Sequence, residues 1–466
     1  MGTQELFPDF EEGTRMTGLG QTWIVGSHLG MGRCAKVYHI TTVDGSVEAA
    51  AKVFRKEDKY KLVFIKEIRN LDGVAGNSQI VSVYGTFTHK GHPCLIYELL
   101  DFSLKELQYK YDHLEVLLPC STNNNNNQEG VECSKSTNKK AASSSAANQE
   151  PSKGLSLFLI QSLYRDLLKC LHHIHGSGWV HADLKPANVM WSAQEGVWKV
   201  VDFGHSFEEN NQDLSQIQSI GYQSPEAREW NSFICQREQS SSSRPPVQSM
   251  TVQEECTSAV DVWSLGCIVA GAFLGRKLYG PEDVKSGGCR QCRNDGAEEK
   301  CKCELLIDSL IRTRSQDTSP KFRKVLADLR DLLKQVLQCN PRNRLTASQC
   351  LKHRFFLHKL RPDDGGILLP TRVLRIFGLP DETDLNDAAE FEEILHEIKE
   401  ESEIYGPLSN IEIPKAGSGK GKAFIEFESS RDCQEALGAL NGQTFSGQTI
   451  GTTFFPIPEF ESKNFF

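Results

Sequence analysis

The stretch "WVHADLKPANVM", residues 179–190, sets Asp183, Lys185 and Asn188 two and three residues apart. Asp183 can accept the proton of an attacking hydroxyl, Lys185 can neutralise charge on a phosphoryl group in transfer, and Asn188 can hold a metal ion. Fourteen residues beyond Asn188, Asp202 of "VVDFG" offers a second metal ligand on a glycine-flanked turn. Phosphoryl transfer asks for little covalent chemistry; it needs positioning and cations around the phosphates. Upstream, "LGMGRCAKV" holds Leu29, Gly30, Met31, Gly32 and Val37. Its two glycines let backbone N–H groups approach phosphate with no Cβ in the way. Alone, such a glycine pair is more often a hairpin turn. Lys52, fifteen residues after Val37, changes that balance. It ends the apolar run "AAAK", where a cation is costly unless an anion meets it. Glu67, on the helix that follows, can hold it.

These residues need a scaffold. Residues 22–100 read as short strands broken by glycine turns, with one helical stretch near Lys61–Leu71. Ile160, Leu163, Leu167, Leu171 and Ile174 step by three and four, one stripe of a helix stopped by Gly176-Ser177-Gly178. Residues 119–154, with "NNNNN" and "SSS", hold too little apolar surface to fold, so a disordered insertion is expected. Further insertions are expected at about 236–250 and 280–303, followed by helical patterns to about Leu360. The reading is an N-terminal tail to residue 21, one unit over 22–360, a joint over 361–368, a second unit over 369–458 and a tail over 459–466.

A chain of 466 residues exceeds one ordinary core, in keeping with two units. The first residues carry no basic, apolar and small-residue succession, so no secretory leader is expected. The apolar run around Val262–Leu274 is too short and interrupted to span a bilayer, so a buried helix and no membrane partner are expected. The fifteen cysteines then read as reduced thiols. Charge is unevenly placed. From Gly366 onward stand 18 acidic and 8 basic residues; the rest of the chain has 43 and 44. The net charge of −9 therefore belongs to the C-terminal unit, which argues for partners of its own.

In order and kind, the motifs of residues 23–360 resemble a protein kinase. The glycine loop, Lys52, Glu67, "HADLKPAN", "DFG", "SPE" at 224–226 and "DVWSLG" at 261–266 follow one another as in that family, and Arg344 fits the late arginine that pairs with Glu226. The resemblance implies a bilobal fold, ATP and Mg2+ as cofactors, and protein substrates. It assigns Glu98–Leu100 to the hinge that takes adenine, Tyr97 to the pocket behind it, and Asn188 with Asp202 to the metal. Lys185 and Ser219 fit the serine/threonine class. Three positions depart from the pattern: Ala35 for the third glycine, Ser224 for an alanine, and Ala182 for the arginine beside Asp183. That arginine pairs with a phosphorylated activation segment in many kinases. Its loss touches no group that meets ATP, metal or hydroxyl. An active enzyme that needs no such phosphate is expected; the alternative is a non-catalytic scaffold.

Cys289, Cys292, Cys301 and Cys303, in "CRQCRNDGAEEKCKC", form a CxxC and a CxC pair. Four thiolates can make a tetrahedral zinc site, but the CxC spacing is unusual for one. A flexible loop of reduced thiols is the favoured reading.

From Leu369 the order is strand, helix, strand, strand, helix, strand. This resembles an RNA-recognition motif, a βαββαβ sheet that stacks bases on aromatics of its central strands. The whole chain is thus expected to be α+β, a bilobal kinase followed by this smaller domain. Phe424 keeps one stacking place, while Lys422 and Arg375 stand in two others, and the acid surplus suits phosphate poorly. The set is closer to the UHM domains of splicing factors, which bind protein. There an acidic first helix attracts a basic peptide and a pocket takes its tryptophan. Glu393, Glu397 and Glu400 would serve as the acids and Phe445 as the pocket ring. Gln443 stands where the Arg-x-Phe mark of that pocket has arginine. Kinase and UHM together resemble the family of kinases interacting with stathmin, the UHM kinases. That resemblance implies a nuclear enzyme, cytoplasmic as well or not, that docks splicing factors and phosphorylates serines followed by proline. RNA tethering is the alternative partner.

Overall fold

The computed structural model describes residues 9–110, 154–213, 215–239, 256–279, 307–309, 312, 319–362, 368–379, 387–445 and 448–466. Apart from Gly154, the insertion expected at 119–154 lies outside these residues. So do 280–303 and the four cysteines considered for zinc.

Six antiparallel strands and one helix build the first lobe: β1 (Arg15–Gly18), β2 (Gln21–Met31), β3 (Ala35–Thr42), β4 (Glu48–Phe54), α1 (Asp58–Gly73), β5 (Val83–His89) and β6 (His92–Glu98). The sheet order is β1-β2-β3-β4-β6-β5. Here the structure differs from the expected tail over residues 1–21. Arg15–Gly18 pairs with Ile24–Gln21, and Met16 has no exposed surface. A four-residue strand with one buried side chain is too short to show a period of two.

The second lobe is mainly helical. Its elements are β7 (Phe102–Ser103), α2 (Leu104–Lys110), α3 (Leu157–Gly176), β8 (Trp179–Val180), β9 (Val189–Ser192), β10 (Val197–Val200), β11 (Phe207–Glu208), α4 (Pro225–Gln239), α5 (Ala259–Leu274), α6 (Pro320–Val336) and α7 (Ala347–Leu351). Ser156 caps α3 by accepting the amide of Leu159, and the stripe from Ile160 to Ile174 is buried. Residues Val260–Phe273 of α5 are buried on every side, the pattern of a central helix. Helix α4 runs through to Gln239, past the start of the insertion expected at about 236. Among the described residues no helix is long and apolar enough to cross a membrane.

The third unit comprises β12 (Val373–Phe377), α8 (Ala388–Glu403), β13 (Leu408–Glu412), β14 (Lys422–Phe427), α9 (Ser430–Leu440), β15 (Thr444–Phe445), β16 (Gln448–Thr449), β17 (Gly451–Phe454) and α10 (Ile457–Glu461). Its sheet order is β13-β14-β12-β17. Alternation along the strands sorts the faces. Leu374, Ile376, Ala423 and Ile425 pack with Ile394 and Ile398 of α8 and Cys433 and Leu437 of α9. Val373 and Phe424 point the other way, into a cluster with Phe455, Ile457 and Phe460, against which Phe465 and Phe466 pack. Residues 459–466, read as a tail, are thus part of the packed domain. Two phenylalanines at a chain end carry no periodicity to announce this.

Asp166 of α3 is buried and accepts the amide of Trp198 at 3.2 Å. Burial pushes its carboxyl up to about 6, which that single hydrogen bond and nearby cations only partly oppose. The folded chain therefore binds this proton more tightly than the unfolded one. Stability from this site is full below the ordinary value of 3.8 and is lost as pH rises toward about 6. Asp166→Asn is expected to be more stable than the parent by about 1–3 kcal/mol at pH 8. Urea titrations across pH should show the gap closing below pH 4; a pH-independent gap would refute the assignment.

Candidate active site

Strand β4 delivers Lys52 to the space between the lobes. Its Nζ lies 2.6 and 2.8 Å from the two carboxylate oxygens of Glu67 and 2.9 Å from Oδ1 of Asp202. Burial alone would lower the Lys52 pKa, but Asp202 and Glu67 outweigh it and hold the ammonium firmly protonated. The same ammonium holds Asp202 well below the usual carboxylate range. Glu67 is buried on α1, and burial raises it despite Lys52. Tyr97 donates its hydroxyl to Glu67 at 2.6 Å, so the residue expected behind the adenine pocket also fixes the ion pair.

The glycine loop joins β2 to β3, closed by the Gly32 amide on the Ala35 carbonyl at 2.9 Å. Leu29 and Met31 are exposed and Val37 is half-buried, facing Lys52 across the β3–β4 pair. A Cβ at Gly30 would meet no protein atom within 4 Å. Packing does not demand glycine there, whereas approach of a phosphate to the backbone does. At the strand end, Glu98 accepts the Ser82 amide and a buried Lys199, and Leu100 is buried.

Across the cleft, Lys185 donates to Asp183 Oδ2 at 2.6 Å and to Ser219 Oγ at 3.3 Å. Ser219 donates to Asp183 Oδ1 at 2.7 Å. Asn188 donates its amide to the Asp183 carbonyl at 2.9 Å, which leaves its oxygen to serve a cation. Asp202 adopts a left-handed φ of 67°, a conformation that residues other than glycine rarely hold outside functional sites. One carboxylate and one amide oxygen suit Mg2+, which fills its remaining positions with water and phosphate oxygens. No cluster of three or more His, Cys, Asp or Glu fit for a metal occurs among the described residues. Lys52, Glu67 and Asp202 thus meet in one group and Asp183, Lys185, Asn188 and Ser219 in another, residue types suited to moving a phosphoryl group.

Arg344 binds Glu226 through both carboxylate oxygens at 2.7 and 3.2 Å. In the third unit, Glu393 and Glu400 are exposed on α8 and Glu397 is half-buried. Phe445 pairs with Gln448 in a small hairpin; its side chain lies outside the described residues. Gln443 donates to the Ala439 carbonyl at 2.8 Å, closing the end of α9.

The protein kinase domain family matches residues 140–356 and the RNA recognition motif family residues 395–451. The chain is similar to serine/threonine-protein kinase Kist of Homo sapiens, 32% identical over 459 residues that cover 95% of this chain and 93% of that protein. The same values hold for Kist of Rattus norvegicus. The chain belongs to the Kist family of serine/threonine protein kinases. A solved kinase domain, PF14_0431, shares its fold at a TM-score of 0.50 and 17% identity, covering 75% of this chain and 99% of that one. A protein kinase in general works with ATP and a divalent cation.

Several residues that order this kinase carry no sequence signal. Asn70 of α1 donates to the carbonyls of Phe203 and Ser206 at 2.7 and 2.9 Å, tying that helix to the turn that carries Asp202. Ala182 is fully buried with φ 64°, its methyl in a cluster with Val180, Phe207, Ile217, Ala227 and Val260. Its carbonyl accepts the Gln218 amide at 2.7 Å. Gln218, itself buried, donates to the Val260 carbonyl and the Ser264 hydroxyl, and accepts the Ser224 amide at 2.8 Å. Neutral bonds thus hold the activation segment where a phosphate–arginine pair would otherwise do so. Phosphatase treatment is expected to leave turnover within about two-fold. Gln218→Ala strands buried groups at about 1–3 kcal/mol each and should cut turnover at least ten-fold. Phosphatase-abolished turnover would refute this.

Proposed function

We infer that this kinase holds its substrates through the C-terminal domain as a peptide-binding module and phosphorylates serines followed by proline in nuclear proteins such as splicing factors. In this reading Asp183 takes the hydroxyl proton, Lys185 steadies the moving phosphoryl group, and Asn188 with Asp202 hold Mg2+. Lys52, the glycine loop and the Glu98–Leu100 hinge hold ATP.

The observation that carries peptide over RNA is the covered sheet. Base stacking needs an open aromatic face. Phe424 has no exposed surface; the Phe465 ring lies 4.5 Å from it and the Phe455 ring 4.7 Å. Arg375, paired with Phe424 across the strands, donates to the Phe466 carbonyl at 2.9 Å. Glu393 and Glu400 of α8 are exposed, which favours a basic partner over a phosphate backbone. Binding of a basic, tryptophan-bearing peptide should lose at least ten-fold affinity in Glu393→Lys/Glu400→Lys, with Asp202→Ala, which binds but does not transfer, as control. Tight, salt-sensitive RNA binding without peptide binding would sink the reading.

Serine-proline preference draws support from the activation segment. Gln218 has φ 57°, and its carbonyl accepts Gln223 Nε2 at 3.1 Å. The next residue, Ser219, touches Asp183, so this carbonyl lies beside the phosphoacceptor's place. Turned toward Gln223, it is a poor partner for the N–H that follows the phosphoacceptor, and an unpaired N–H costs about 1–3 kcal/mol. Proline brings no N–H. Gln223→Ala should narrow the kcat/KM ratio between Ser-Pro and Ser-Ala peptides by about ten-fold; an unchanged ratio would remove this support.

A further inference from the structure

The β9–β10 turn, residues 193–196, stands between the third unit and the hinge. On one side Gln194 reads backbone: its Nε2 donates to the Glu428 carbonyl at 2.8 Å and its Oε1 accepts the Ser430 amide at 2.8 Å. Ser430 opens α9, so a kinase-lobe glutamine satisfies one of the N-terminal donors that a helix leaves free. Arg372 is fixed by Glu426 at 2.9 Å and donates to the Gln194 carbonyl at 2.6 Å. Trp191 donates its indole N–H to the Pro370 carbonyl at 2.7 Å. Gly196 has φ 66°, and a Cβ there would lie 2.9 Å from Ile457. Where the chain enters the third unit two leucines are buried: Leu368 belongs to the core of that unit and Leu369 to that of the kinase.

The other side of the same turn grips the hinge. Lys199, with a side chain 1% exposed, lies 2.8 Å from Glu98 and also meets Glu195. A buried ammonium tolerates little freedom in its partners. Asp101, just past the hinge, donates its amide to the Trp191 carbonyl at 3.0 Å and accepts the Ala193 amide at 2.7 Å. Arg431 of α9 reaches Glu48 at 3.5 Å, on the strand whose next residue pairs with Glu98.

We propose that the C-terminal domain braces the hinge: docked on the β9–β10 turn, it sets the geometry of residues 98–101 and thereby ATP affinity, with Gln194 and Arg372 as positioning residues. The inference concerns kinase activity itself and stands whether that domain binds peptide or RNA. Gln194→Ala/Arg372→Ala in the full chain is expected to raise KM for ATP about five-fold or more, leave kcat within about two-fold, and speed amide exchange at 98–101. Arg431→Ala, an exposed change at the other end of the contact, should shift KM in the same direction by less. Melting of the parent as one transition, split in two by the double variant, is the matching stability result. Unchanged KM and hinge exchange in a double variant whose domains separate by small-angle scattering would overturn the proposal. So would a parent already separated, or a loss confined to kcat.

Discussion

Asp261 has no exposed surface, and the second lobe is organised around its carboxylate. Burial raises its pKa, but a hydrogen bond from His175 Nε2 at 3.0 Å and the backbone amides of His181 and Ala182 at 2.8 and 2.9 Å outweigh that and keep it ionised. A charge so placed is stable only while each donor stays in position. It therefore fixes the loop that carries Asp183, Lys185 and Asn188, and it offsets the left-handed backbone at Ala182. Gln218 docks on the carbonyl so presented, and the activation segment follows. Ala182 is thus a junction: its amide binds the central helix and its carbonyl the activation segment, while its methyl completes an apolar wall. An arginine there would have to leave that wall.

The first lobe answers with charge. Lys52, Glu67 and Asp202 come from a strand, a helix and a turn of the other lobe, and their attraction closes the cleft only when all three elements are in place. Exposed pairs such as Arg69 with Glu208 and Lys66 with Asp213 add little by themselves. Asn70 does more from inside, because its bonds to the carbonyls of Phe203 and Ser206 are buried, and the Phe203 carbonyl also takes the Ser206 amide at 3.1 Å. Position of the helix and shape of the turn that carries Asp202 are therefore one property.

What could be read in the sequence was the chemistry whose spacing the reaction dictates. Lys52, Asp183, Asn188 and Asp202 are residue types that phosphoryl transfer calls for in a set order, so they stand out as a pattern, and the strands and helices that carry them show ordinary periodicity. Asn70, Gln218 and Gln194 were silent because an amide that satisfies backbone groups far along the chain looks like any surface amide. Met16, Phe465 and Phe466 were silent for want of length: a lone buried residue at a chain end has no period. Phe445 could be named from the sequence, but the glutamine in place of arginine could not be interpreted until Gln443 was seen to close α9.

Charge is unevenly placed on the C-terminal domain. Its contact with the kinase runs largely through Gln194, main-chain amides and carbonyls, an indole N–H and buried Leu368 and Leu369; Arg372 donates there to a carbonyl while Glu426 neutralises it. Such bonds respond weakly to salt. Glu392, Glu393, Glu400 and Glu401 are exposed on α8, and charge at such positions acts at long range and is screened by salt. The contact with the kinase and the exposed acids thus lie on different elements of the domain, the first on Pro370, Arg372 and the start of α9 and the second on α8.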